Sequence, residues 1–178
     1  QERIGFKNKK FMIYKFATML KNSPNIGTGL HTKKKDPRIL PLGGFLRKTK
    51  INELPQLFNI LFGSMSIVGP RPLVEKTFEP YSETVKKNIY KVKPGLTGIG
   101  SIIFRDEEEL LSKTKLPLDQ FYEKEISPYK GKLELWYQKN ISLYTDTMLI
   151  IITAFTLIVP DNNLVLKVFK NLPKKNSK

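Results

Sequence analysis

The chain has 178 residues, 40% of them hydrophobic, enough to bury one core and too few for two large domains. It has no cysteine, which excludes a disulfide framework and any thiolate metal site. Lys and Arg number 31 against 16 Asp and Glu, giving a formal charge of +15, and blocks at Lys7–Lys10, Lys33–Lys35 and Lys174–Lys175 are too dense to serve solubility alone.

A surface of that sign suits an anionic membrane face, a nucleotide sugar or a nucleic acid. Neither a zinc pattern nor an aromatic RNA-binding motif occurs, so no nucleic-acid partner is expected. Lysine clusters beside anionic lipid gain about 1 kcal/mol per residue, which favours a membrane-facing rim.

In chain order, Phe11–Met19 is rich in aromatic and apolar residues and is predicted to be a strand. Residues Lys21–Pro41, punctuated by Pro24, Gly27, Gly29 and Pro37, are expected to form a loop with few buried positions. Within it Asp36 and Arg38 are read as a local ion pair shaping the loop. His31 has no second His or Cys beside it, so it is not expected to bind metal.

Phe45–Lys48 and Leu54–Phe62 are predicted helices. Apolar residues at 54, 57, 58, 61 and 62 form the stripe of a helix with one buried face, and Gly63 supplies the stop. Pro55 fits only a first turn, so this helix should begin near Asn52. Met65–Val68 reads as extended and Phe78–Tyr90 as a helix ended before Pro94-Gly95. Further helices are predicted at Asp106–Leu111, Pro117–Glu125 and Lys132–Lys139. The apolar run Met148–Val159, stopped by Pro160, is shorter than the roughly 20 residues needed to span a bilayer, so it is a core or interfacial helix. The expected fold is α/β or mainly α: a compact, helix-rich, membrane-associated single domain over 1–170 with a short strand element, followed by a basic, disordered tail over 171–178.

Chemistry concentrates between Phe45 and Leu73. Asn52 and Glu53 at a helix start have two readings. Asn52 is a cap and Glu53 a dipole partner, or the free N–H groups attract phosphate while Glu53 holds a metal or a proton. Arg71 bears on the choice. Pro70 and Pro72 fix its backbone on both sides, making its guanidinium a preorganised fork for phosphate or carboxylate. Gly95, Thr97 and Gly98 allow close backbone approach to a phosphate, or simply a tight turn.

Taken together, Arg3 with Gly5, FMIYKFATM (Phe11–Met19), the run from Asp36 to Leu73 containing ELPQLFN and MSIVGPRP, KVKPGLTG (Lys91–Gly98) and the segment Tyr137–Phe155 resemble the catalytic domain of bacterial sugar transferases, the monotopic phosphoglycosyl transferases. The resemblance implies transfer of a sugar 1-phosphate from a UDP-sugar to a polyprenol phosphate, with release of uridine monophosphate, at the inner face of the bacterial cytoplasmic membrane. It implies Mg²⁺ held by Glu53, and phosphate binding by Arg71, Arg47 and Lys15 with Pro70 and Pro72 as supports.

Three departures stand out. Asn52 occupies the place of the family's nucleophilic Asp, and an amide cannot replace an ionised carboxylate simply. Ala17 stands where the family generally has Arg. A hydrophobic hairpin that opens the family's domain is expected upstream of Gln1. The alternative reading is therefore a silent homologue acting as a binding partner in a polysaccharide synthesis complex. The sequence leaves open whether the chain forms a homo-oligomer.

Overall fold

The computed structural model describes residues 1–29, 31–159 and 163–175. Strands β1 (Glu2–Ile4) and β2 (Lys10–Met12) pair antiparallel, with Arg3 opposite Phe11. Helix α1 (Pro41–Lys48) is followed by a 3₁₀ turn over Ile51–Glu53 and by α2 (Gln56–Leu61). Next come β3 (Ser66–Val68), α3 (Glu75–Phe78), α4 (Glu83–Asn88) and β4 (Gly95–Thr97), which pairs parallel to β3. Helices α5 (Ile99–Ile103), α6 (Glu107–Lys113), α7 (Leu118–Phe121), α8 (Ser127–Lys139), α9 (Leu143–Ile158) and α10 (Leu164–Val168) complete the chain. The helix-rich fold with a short strand element is as expected.

The main core centres on α8 and α9, where Leu133, Leu149 and Ile152 are buried against Ile99 of α5 and Ile126. A second cluster joins Ile4 of β1 and Leu73 to Tyr81, Val85, Ile89 and Tyr90. Between them β3 and β4 approach so closely that side chains are excluded: a Cβ on Gly69 would lie 2.5 Å from the Lys93 carbonyl, and one on Gly98 2.2 Å from that of Gly69. These glycines therefore serve backbone packing beneath the Pro70-Arg71-Pro72 segment.

Several expectations need correction. The predicted strand at Phe11–Met19 has a ladder only to Met12. Ile13 still exchanges hydrogen bonds with Gln1, and after it donors go singly to other segments, Tyr14 N–H to Asn59 Oδ1 (2.9 Å) and Phe16 N–H to the Asn52 carbonyl (3.0 Å). The loop before Pro41 keeps to expectation, with few buried positions among its described residues: His31, Asp36 and Arg38. The predicted Phe78–Tyr90 helix shortens to Glu83–Asn88, capped by Ser82, because α3 already ends at Phe78. Helix α8 starts five residues before Lys132, and a π-helical turn over Tyr122–Ile126 joins it to α7.

The largest correction concerns α2. Its apolar stripe is exposed, from 51% at Leu54 to 76% at Leu61, while Gln56 and Asn59 are buried. Asn59 faces inward because it links three strangers: it donates to the Met12 carbonyl (2.8 Å) and to Ser64 Oγ (3.2 Å) and accepts from Tyr14 N–H. Gly63, at φ +79°, does end the helix.

Helix α9 contains the apolar run from Met148; Pro160 lies outside the described residues. Among those described, no helix is long and apolar enough to cross a membrane. Of the expected tail, residues 176–178 also lie outside them, whereas Leu172 packs against the main core.

Candidate active site

The sequence-predicted residues converge. A cleft of about 630 Å³ is lined by Lys15 from the extended segment, Arg47 from the last turn of α1, Asn52 and Glu53 from the 3₁₀ turn, and Arg71 with Pro72 from the loop after β3. Pro70 is buried behind it. Of the lining side chains, nine are Lys or Arg and five are Asp or Glu, so the cleft is a net cationic concavity suited to an anionic ligand.

Glu53 and Arg71 face each other, with Nη2 2.7 Å from Oε1. Burial alone would raise the Glu53 pKa, but the charge and hydrogen bond of Arg71, with Lys50 and Lys15 nearby, more than offset it and hold the carboxyl at about 2. Glu53 is thus an anion across the physiological range, fit to bind a cation or attack an electrophile and unfit to donate a proton. Arg71 keeps 40% of its side-chain surface. Its main chain is fixed by Tyr90, whose hydroxyl donates to the Arg71 carbonyl (2.7 Å) and accepts from Leu73 N–H (3.0 Å). Proline on both sides adds stiffness.

Asn52 does not act as a cap. It sits inside the 3₁₀ turn, 6% exposed, with its Oδ1 lacking any hydrogen-bond partner. Arg3 Nε, Arg47 Nε and Ser101 Oγ, also on residues lining the cleft, are likewise buried without partners. Polar groups without protein partners, gathered at one cleft, are suited to meeting a polar ligand. Arg47 is paired with Glu108 of α6, so its guanidinium faces a carboxylate within the cleft.

Lys15 is an exposed residue, yet its ammonium is crowded: desolvation first, then Arg3 and Arg71, lower its pKa to about 8. Arg3, lowered to about 10 by desolvation and by Arg71, and Lys50, lowered by desolvation and by Arg71, belong to the same cationic group. Neither was singled out for binding from sequence. The one local signal for Arg3 is its place ahead of Gly5, and Lys50 shows itself only through its left-handed backbone (φ +60°).

A divalent ion would find no ready-made cage, since the described residues contain no cluster of three or more His, Cys, Asp or Glu side chains able to hold one. The donors present, the Glu53 carboxylate and the unpartnered Asn52 Oδ1, are hard oxygen ligands that would suit Mg²⁺ bound together with a diphosphate.

This geometry agrees with what comparison shows. Residues 1–160 match the bacterial sugar transferase family. The chain belongs to that family. It is 34% identical over 167 residues to the undecaprenyl-phosphate galactose phosphotransferase of Salmonella typhimurium, covering 86% of this chain and 31% of the relative. It is 35% identical over 160 residues to the UDP-glucose:undecaprenyl-phosphate glucose-1-phosphate transferase of Klebsiella pneumoniae, 87% of this chain and 31% of that one. The UDP-N-acetylgalactosamine-undecaprenyl-phosphate N-acetylgalactosaminephosphotransferase of Aeromonas hydrophila is 30% identical over 160 residues, 89% of this chain and 34% of its own. The chain therefore spans about a third of the length of the curated relatives it matches.

Proposed function

We propose that this bacterial sugar transferase domain transfers a sugar 1-phosphate from a UDP-sugar to a polyprenol phosphate, releasing uridine monophosphate and starting a surface polysaccharide or glycoconjugate. The observation that carries the reading is the Glu53–Arg71 pair at the centre of a cationic cleft, a fixed anion beside a guanidinium with open donors. Arg71, Arg47 and Lys15 balance the diphosphate as charge develops on the leaving phosphate, with Arg3 and Lys50 adding to the field. Mg²⁺, when bound, neutralises the diphosphate and polarises the reacting phosphoryl group. Glu53 and Asn52 Oδ1 are the groups to hold it. Asn52 carries no charge with which to attack, so bond formation to the β-phosphorus falls either to Glu53 or to the acceptor phosphate itself.

The silent alternative finds no support in a site whose ion pair, proline clamp and orphaned donors are intact. The membrane face is supported by the exposed stripe on α2, the exposed Ile150, Ile151 and Phe155 on α9, and the basic blocks. The test is release of uridine monophosphate from UDP-glucose, UDP-galactose and UDP-N-acetylgalactosamine by the full-length protein in bilayers containing polyprenol phosphate, with and without Mg²⁺. No release from any sugar nucleotide, in a preparation that binds the bilayer, defeats the proposal.

A further inference from the structure

The acids of the cleft are not spread evenly through it. Of the five Asp and Glu that line it, four are the consecutive Asp106–Glu109 at the start of α6, whereas Glu53 has Arg71, Lys50 and Lys15 about it. Phosphates belong with the cations. The α6 corner repels them and suits the part of a ligand that is neutral and rich in O–H donors.

The four acids differ in how they are held. Asp106 is exposed. Glu108 and Glu109 pair with Arg47, Lys34 and Lys113, whose side chains keep from 25% to 72% of their surface. Glu107 is held from behind: its Oε2 lies 2.6 Å from Nζ of Lys130 on α8, a side chain only 6% exposed, whose ammonium sits 5.4 Å from the centroid of the Phe104 ring. Helix α5 covers the Lys130 stem at Gly100, where a Cβ would lie 3.4 Å from its Cγ. An ammonium so enclosed stays with its carboxylate, because an unpaired charge in the interior is costly. Glu107 itself keeps 23% of its side-chain surface and lines the cleft, so it is a fixed acceptor with an open side.

A second polar group stands nearby. Ser101, three residues before Phe104, also lines the cleft, and its buried Oγ has no hydrogen-bond partner. The Phe104 carbonyl accepts the Glu107 N–H (3.2 Å), which ties the end of α5 to the start of α6.

We propose that Glu107 is a specificity-determining residue that receives adjacent hydroxyls of the sugar nucleotide, with Lys130 as its positioning residue and Ser101 as a further hydrogen-bonding group. The inference rests on the reading of the substrate as a UDP-sugar. A carboxylate offers roughly four acceptor sites on its two oxygens, so the bond to Lys130 leaves capacity for two parallel O–H donors, which is what a vicinal diol presents. The donor carries such diols on its ribose and on its hexose, and the chemistry of recognition is the same for both.

The experiment uses the full-length protein in bilayers and compares wild type with Glu107→Gln, reading kcat/KM for UDP-glucose, UDP-galactose and UDP-N-acetylgalactosamine, and affinity for uridine monophosphate and for inorganic pyrophosphate, which has no diol. Glu107→Gln removes the charge and one acceptor oxygen. It should lower kcat/KM for the best UDP-sugar about tenfold or more, whereas pyrophosphate affinity should hold or rise, because a negative charge has left a cationic cleft. A general loss of folding cannot give these opposite signs. Uridine monophosphate weakened as much as the UDP-sugar places the contact on the ribose; uridine monophosphate unchanged, with an altered preference among the three donors, places it on the hexose. If the single variant fails to fold because Lys130 is left unpaired, Glu107→Gln combined with Lys130→Met, which keeps an apolar stem against Phe104 and removes both charges, decides by the same measurements. Kinetics within about twofold of wild type for every UDP-sugar overturn the proposal, as does an equal fall in pyrophosphate affinity. A wild type inactive with every sugar nucleotide defeats the proposed function first and this inference with it; an active wild type beside an unchanged Glu107→Gln defeats this inference alone.

Discussion

Two carboxylate–guanidinium pairs in this fold, one two residues apart and one eighteen, behave as opposites. Arg38 is closed: it binds both oxygens of Asp36 (2.8 and 2.6 Å) and spends its other donors on the Ile26, Gly29 and His31 carbonyls, with 4% of its side chain exposed. Arg71 is open: a single nitrogen meets Glu53 and 40% of its side-chain surface is exposed. The first pair organises a loop without a ligand. The second leaves donors over, which is the structural difference between a staple and a binding group.

The contrast can be broken most severely at the closed pair. Arg38→Met strands the Asp36 carboxylate in the interior and should cost about 3–5 kcal/mol, seen as a large fall in Tm or an insoluble protein. The matching pH effect appears in acid: hydrogen bonds from Arg38 hold the Asp36 pKa below its ordinary 3.8, so this stabilisation is present above that value and disappears as pH falls beneath it. A variant melting like wild type would show the pair to be dispensable.

At the open pair the loss should be in turnover. Glu53→Gln is expected to abolish uridine monophosphate release and to leave Tm within a few degrees. Because Glu53 ionises near 2, wild-type activity should show no acid limb from this group between pH 5 and 8. Full activity in Glu53→Gln would remove it from the site. Arg71→Lys keeps the charge and gives up the fork, so kcat/KM should fall on the order of 100-fold; a change within twofold would count against phosphate binding.

The smallest effect is expected at Asn52. Asn52→Asp restores a carboxylate beside Glu53 and should be tolerated, with a phosphosugar adduct on residue 52 detectable by mass spectrometry if a covalent route reopens. Asn52→Ala removes only an unpartnered acceptor and should reduce activity modestly. Inactivation by alanine equal to that of Glu53→Gln would instead make the amide essential.

The site was legible where it is local. Glu53, Arg71 and the flanking prolines sit within twenty residues of one another, and their rigidity can be read from residue type. Arg3 and Tyr90 were not, because they reach the Arg71 loop from segments distant in sequence, and no local pattern marks a phenol that will accept a backbone N–H. For the fold, helix existence was mostly legible and orientation was not. The α2 stripe has the right period for an amphipathic helix, but period alone does not say which face points inward. Asn59 decided it, through three hydrogen bonds to partners that only the folded chain provides. The expected strand stops short for a related reason: Phe11–Met19 has the composition of a strand, but past Ile13, which exchanges hydrogen bonds with Gln1, its pairing shrinks to an isolated bridge between Met19 and Ile39.

The Tyr90 hydroxyl, which bridges the Arg71 carbonyl and the Leu73 amide, has a thermodynamic consequence for the ligand. Loops that meet phosphate commonly surrender conformational freedom on contact, and that entropy is subtracted from affinity. Here the loss has been taken during folding, so the diphosphate of the proposed substrate would meet at Arg71 a backbone already held and would give up its own freedom alone.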